Sequence, residues 1–157
     1  MATPRMLGPA GRIGIVVSRF NESVTTRLLE GARACLSERG VAQDHVDVAW
    51  VAGAWELPVV VRAMLLRGSG YTALCALGAV VRGETPHFEY LASACARGLM
   101  DLQLEFGVPI GFGVLTTDTL EQALARAGGE AGNKGYDAMA AALEAAALLG
   151  TRDERPH

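Results

Sequence analysis

The alternation of short apolar runs with amphipathic segments predicts an α/β protein built on a parallel sheet covered on both faces. Two observations carry this reading. The strand candidates are apolar throughout, the pattern of strands buried on both sides. Between them lie segments with apolar residues three and four apart, the spacing of a helix with one buried stripe. A third observation places the functional edge. Polar turns follow all four strand candidates, and in such a sheet ligands bind beyond the carboxyl ends of the strands.

Ile13–Val17 is the first strand, and Val24–Glu38 the first helix, with Val24, Leu28, Leu29, Ala32, Cys35 and Leu36 on one face. Gly40 ends that helix. Val46–Val51 is the second strand, and Leu57–Leu66 a helix that accommodates Pro58 in its first turn. Leu74–Val81 is the third strand, Phe88–Phe106 a long helix, and Ile110–Leu115 the fourth strand, thinned by Gly111 and Gly113. Thr119 and Gln122 have capping-box spacing and open a helix expected to stop at Gly128-Gly129. Lys134 to Leu149 forms the last helix, so rich in alanine that it must pack closely and on more than one side.

At 157 residues the chain fits one domain over 1–157, with an N-terminal arm over 1–11 and a flexible polar tail over 151–157. Half the residues are apolar and the mean hydropathy is +0.24, yet no run reaches the roughly 18 residues of a membrane span. Burial between subunits is the simplest sink for the excess, and no membrane partner is expected. The N-terminus lacks the apolar stretch of a signal peptide, which fits a cytoplasmic protein. A net charge of −3 without like-charge blocks speaks against a nucleic-acid partner. Cys35, Cys75 and Cys95 read as small core residues, and His45, His87 and His157 are too scattered for a metal site. No metal is expected. Neither a dinucleotide fingerprint nor a Walker A motif occurs, so nothing calls for a nucleotide cofactor.

Several residues carry a bland and a functional reading side by side. Phe20 and Trp55, each just after a strand, either cap the core or offer a flat wall to an aromatic ring. Glu56 either caps a helix or recognises a ligand. His87 lies in Gly83-Glu84-Thr85-Pro86-His87-Phe88-Glu89-Tyr90, with Pro86 in the expected first turn of a helix. It is a capping or surface histidine, or an imidazole that takes a proton and returns it. Arg126 either answers a helix dipole or clamps an anion. Thirteen of the fourteen basic residues are arginine, so the single lysine, Lys134, reads as a point charge wanted at one place.

Six segments, in this order and at these separations, resemble the lumazine synthase family of riboflavin biosynthesis. They are Ser18-Arg19-Phe20-Asn21; Gly53 to Pro58; Gly78 to Tyr90; Gly113 to Asp118; Glu121 to Ala123 with Arg126-Ala127-Gly128; and Gly132-Asn133-Lys134-Gly135. The likeness runs from about Ile13 to Leu149. It implies a flavodoxin-like three-layer α/β/α sandwich with a four-stranded parallel sheet. It also implies a cofactor-free condensation of 5-amino-6-(D-ribitylamino)uracil with 3,4-dihydroxy-2-butanone 4-phosphate to the lumazine, phosphate and water.

Carried over position by position, the resemblance has Phe20 stack on the pyrimidine and Ala54, Trp55 and Glu56 line the ribityl chain. The backbone of Ala79, Val80 and Val81 would bond the pyrimidine edge. Glu84 and Thr85 would meet the butanone phosphate, and His87 would shuttle protons. Phe112, Arg126 and Lys134 would come from a neighbouring subunit, with Phe112 and Lys134 on the ribitylaminouracil and Arg126 on the phosphate. The family assembles as pentamers, and the short turn from Gly128 to Asn133 resembles members that close twelve pentamers into a 60-subunit shell. Riboflavin synthase is then an implied protein partner. Two rival functions are a Schiff-base aldolase using Lys134 and a binding module or storage shell without catalysis.

Overall fold

The computed structural model describes residues 11–68, 70–84 and 86–153. The N-terminal arm up to Ala10, Ser69, Thr85 and the last four residues lie outside them. Four strands, β1 (Arg12–Ser18), β2 (Val46–Val51), β3 (Tyr71–Val81) and β4 (Ile110–Thr117), form one parallel sheet in the order β2-β1-β3-β4. The helices are α1 (Glu22–Glu38), α2 (Leu57–Leu66), α3 (Phe88–Phe106), α4 (Leu120–Ala125) and α5 (Lys134–Asp153). This is the expected α/β sandwich with a four-stranded parallel sheet. Among the described residues, no helix is long and apolar enough to cross a membrane.

Continuous apolar strands arise because successive side chains enter two different cores. Ile13, Ile15 and Val17 of β1, with Cys75, Leu77 and Ala79 of β3, join α1 and α5. Val16, Leu74, Ala76 and Val80 join α2 and α3 on the opposite face. Leu28, Leu57, Leu74, Leu77 and Leu143 are fully buried, each favouring the fold by about 1.5–3 kcal/mol. Cys35, Cys75 and Cys95 are buried and unbonded, as expected of core residues. Burial pushes the Cys75 thiol up to about 12 and the Cys95 thiol up to about 11.

Helix ends follow local chemistry. Gly40, at φ 77°, closes α1, with the Val41 N–H donating to Leu36 O and the Gly40 N–H to Ser37 O at 3.0 and 3.1 Å. The capping box of α4 is present: the Gln122 N–H donates to Thr119 Oγ1 at 3.1 Å, and the Thr119 N–H to Gln122 Oε1 at 3.3 Å.

Some boundaries differ from expectation. α4 stops at Ala125, short of Gly128-Gly129, because Ala127–Gly129 pairs antiparallel with Gly132–Asn133 as a small hairpin, β5 and β6. Gly128 and Gly132 take positive φ there, which an α-helix excludes. β3 starts three residues early at Tyr71, since Tyr71 pairs with Arg12 and its hydroxyl donates to Asp47. Pro86 lies before α3, not in its first turn, and His87 holds the N-cap position. α5 continues past Thr151 to Asp153, so the expected polar tail begins as helix.

Candidate functional site

The sheet order reverses between β1 and β3, and the loops at their carboxyl ends flank the crevice that such a reversal opens. After β1 the backbone runs beside the end of β2, with the Arg19 N–H donating to Val51 O at 2.7 Å and the Phe20 N–H to Ala52 O at 3.0 Å. Asn21 is the only described non-glycine residue at positive φ, 61°. Its side-chain amide crosses the crevice and donates to Ala79 O at 3.1 Å. Asparagine tolerates this left-handed conformation better than most residues. Phe20 is thus carried on a turn tied to β3.

Phe20 is 51% exposed and Trp55 65%, so neither ring is sealed into the core and each has surface to offer a ligand. Ala54 is buried next to Trp55. The Glu56 carboxylate accepts from the Gly53 N–H at 2.9 Å, so the local capping reading of Glu56 holds. Trp55 and Glu56 also line an apolar cavity of about 460 Å³ between α2 and α3. Ala79, Val80 and Val81 are buried. Their main chain, not their side chains, is what they can present at the crevice.

Beyond β3 the chain turns through Val81-Arg82-Gly83-Glu84, with the Glu84 N–H donating to Val81 O at 3.3 Å. Gly83 takes φ 91°, the conformation that the third position of a type II turn needs. Glu84 leaves this turn exposed. Thr85 lies outside the described residues. His87 follows at the α3 N-cap, its carbonyl accepting from the Leu91 N–H at 2.8 Å.

A second group gathers along the edge strand β4. Phe112, Arg126 and Lys134 line one cavity of about 430 Å³ together with Thr116 and Asp137. Arg126 is the C-cap of α4, and its Nη1 donates to Gln122 O at 3.0 Å. That satisfies the dipole reading with one donor and leaves the others of the fork for an anion. Lys134 opens α5, half exposed, with its Nζ 3.7 Å from Asp137. It lacks the apolar burial that activates a Schiff-base lysine. Phe112 is 48% exposed. Trp55 with Glu56, and Phe112 with Arg126 and Lys134, therefore line different cavities.

Sequence reasoning missed three supports. Asn133 accepts with Oδ1 from the Gly135 and Tyr136 N–H groups, 2.9 and 3.1 Å, and donates with Nδ2 to Arg27 O at 3.0 Å, capping α5 and pinning it to α1. Its place before a helix was the available signal. Asn21 and the Arg82–Asp118 ion pair, at 2.8 Å, gave none, because their partners are remote in sequence. Among the described residues, no three His, Cys, Asp or Glu side chains group as a metal centre requires.

A doubly wound parallel sheet with exposed aromatic rings, carboxylates and cationic groups placed around its carboxyl edge defines an α/β protein with a small-molecule site. A family model described as 6,7-dimethyl-8-ribityllumazine synthase matches residues 10–150. A relative of that name from Gemmatimonas aurantiaca is 58% identical over 137 residues, covering 87% of this chain and 83% of the relative. The chain belongs to the 6,7-dimethyl-8-ribityllumazine synthase family.

Proposed function

We propose that this protein condenses 5-amino-6-(D-ribitylamino)uracil with 3,4-dihydroxy-2-butanone 4-phosphate to 6,7-dimethyl-8-ribityllumazine, phosphate and water, in riboflavin biosynthesis. The observation that carries this is the family match over residues 10–150, which spans every site position named above. The substrate amine attacks the ketone and loses water to give an imine. β-Elimination then expels phosphate, the resulting enol tautomerises to a carbonyl, and the ribitylamino nitrogen closes the ring on it with loss of a second water. His87 moves the protons, Arg126 holds the phosphate with Lys134 beside it, and Glu84 and Thr85 meet the same substrate. Phe20 stacks on the pyrimidine, whose edge bonds the backbone of Ala79, Val80 and Val81. Ala54, Trp55 and Glu56 face the ribityl chain.

Phe112, Arg126 and Lys134 serve the pocket of an adjacent subunit in a pentamer, and the short turn after α4 fits closure of twelve pentamers into a shell. Their separate cavity on an edge strand supports this division. The buried free thiols fit a reducing cytoplasm. Riboflavin synthase, which consumes the product, is the protein partner this reading favours.

The test is lumazine fluorescence with both substrates present. Wild type should form product. His87→Ala should lower kcat by on the order of 10²–10⁴-fold without abolishing turnover, because holding two substrates in register is itself a large share of the acceleration. Arg126→Ala should raise the KM for the phosphate substrate by roughly 10- to 100-fold, the loss of a charge-assisted contact. An unchanged kcat in His87→Ala would remove the proton-transfer role.

A further inference from the structure

Arg82 is the first residue after β3, and its contacts converge on the residues beside His87. Its backbone N–H donates to Thr117 O at 2.8 Å, continuing the β3–β4 ladder beyond the strand. Its Nε donates to Asp118 Oδ1 at 2.8 Å, just past β4. Its Nη1 lies 3.6 Å from the Glu89 carboxylate, in the first turn of α3. The guanidinium carbon sits 4.6 Å from the ring centroid of Phe88, a cation–π distance. Phe88 is partly buried against the α2–α3 core. One planar fork thus joins the end of β3, the end of β4 and the residue next to His87.

The Arg82 side chain is half exposed and its two carboxylate partners more so, and exposed ion pairs add little to global stability. What it does provide is a fixed geometry. A guanidinium that lies over a ring while donating to a carboxylate is restricted in orientation, a restriction an ammonium would not impose. We propose that Arg82 is a positioning residue that, through Asp118, Phe88 and Glu89, fixes the start of α3 and so the place of the His87 imidazole. The inference rests on the reading of His87 as the group that moves protons. Catalytic groups displaced by about 1 Å can lose on the order of 10²-fold in rate.

Lumazine formation by wild type, Arg82→Ala, Arg82→Lys, Asp118→Asn and the Arg82→Ala/Asp118→Asn double variant tests this. Arg82→Ala should lower kcat by roughly 10- to 100-fold, with the KM for the phosphate substrate and the melting temperature near wild type. Arg82→Lys should recover only part of kcat, since lysine restores charge but not the fork. Asp118→Asn, the milder change, should lose part of the same kcat, and the double variant should lose no more than Arg82→Ala alone, because both act through one contact. A kcat for Arg82→Ala and Asp118→Asn within twofold of an active wild type would overturn the proposal. So would a raised KM with kcat retained, which would make Arg82 a substrate-binding group. No lumazine from wild type would overturn the underlying function instead.

Discussion

Asp47 shows how one side chain can be held by two partners, both distant in sequence. Arg12 donates to it twice, from Nε at 3.1 Å and Nη2 at 2.7 Å, and the Tyr71 hydroxyl donates at 2.7 Å. The three residues tie β1, β2 and β3 together at the amino-terminal edge of the sheet, away from the site. The Arg12 bonds first, and the Tyr71 hydroxyl second, hold the Asp47 carboxyl below its usual range. A folded-state value lowered in this way favours folding while the carboxylate is charged in both states. The advantage is lost as pH falls through the folded value. Asp47→Asn should therefore have a lower urea midpoint than wild type at pH 7, and the gap should close between about pH 5 and pH 2. A gap that stays constant across that range would show the ionised carboxylate to be irrelevant. Phe20, Trp55 and His87 were legible as candidates because their types, at strand ends, already imply stacking or proton transfer. Arg82 and Asn21 were not, since their meaning lies in partners 36 and 58 residues away.

Elements are packed here by removing side chains. A Cβ on Gly135 would collide with the backbone carbonyl of Leu28, and one on Gly111 with the carbonyl of Ala138. A Cβ on Gly31 would strike the Asn133 side chain that caps α5. These glycines let α5 lie against both α1 and β4. Helix propensity alone says that Gly135→Ala gains about 1 kcal/mol. The obstacle is backbone, which cannot rotate aside, so overpacking at about 1–3 kcal/mol should outweigh it. Gly135→Ala should thus have a lower melting temperature, and because Lys134 starts the same helix, a higher KM for the phosphate substrate. A stabilised Gly135→Ala would show that the two helices separate at no cost. The strands and long helices were legible because burial imposes a period on the sequence, two for strands and 3.6 for helices. The β5–β6 hairpin was not. Its five residues, Ala127–Gly129 and Gly132–Asn133, are mostly glycine and bear no pattern, and pairing alone holds them.

At the scale of the whole molecule, the surface of the single chain carries large apolar side chains. Phe20, Trp55, Val59, Tyr90, Leu104 and Phe112 are all exposed, and β4 leaves one edge of the sheet unpaired among the described residues. Exposed apolar groups and an open sheet edge both suit a partner surface, and half-apolar composition had already pointed that way. In the proposed assembly one protomer brings His87 and its neighbour brings Arg126. Complementation separates that arrangement from a pocket built within one chain. When His87→Ala and Arg126→Ala chains are co-assembled in equal amounts, a shared pocket is intact only where an Arg126→Ala copy supplies the imidazole and a His87→Ala copy supplies the guanidinium. Random mixing makes that about one interface in four. The co-assembled mixture should therefore recover roughly a quarter of the wild-type rate, while either variant alone, or the two mixed without reassembly, stays at its own low rate. If each chain carried a complete pocket, every pocket in the mixture would lack one of the two groups, and co-assembly would restore nothing.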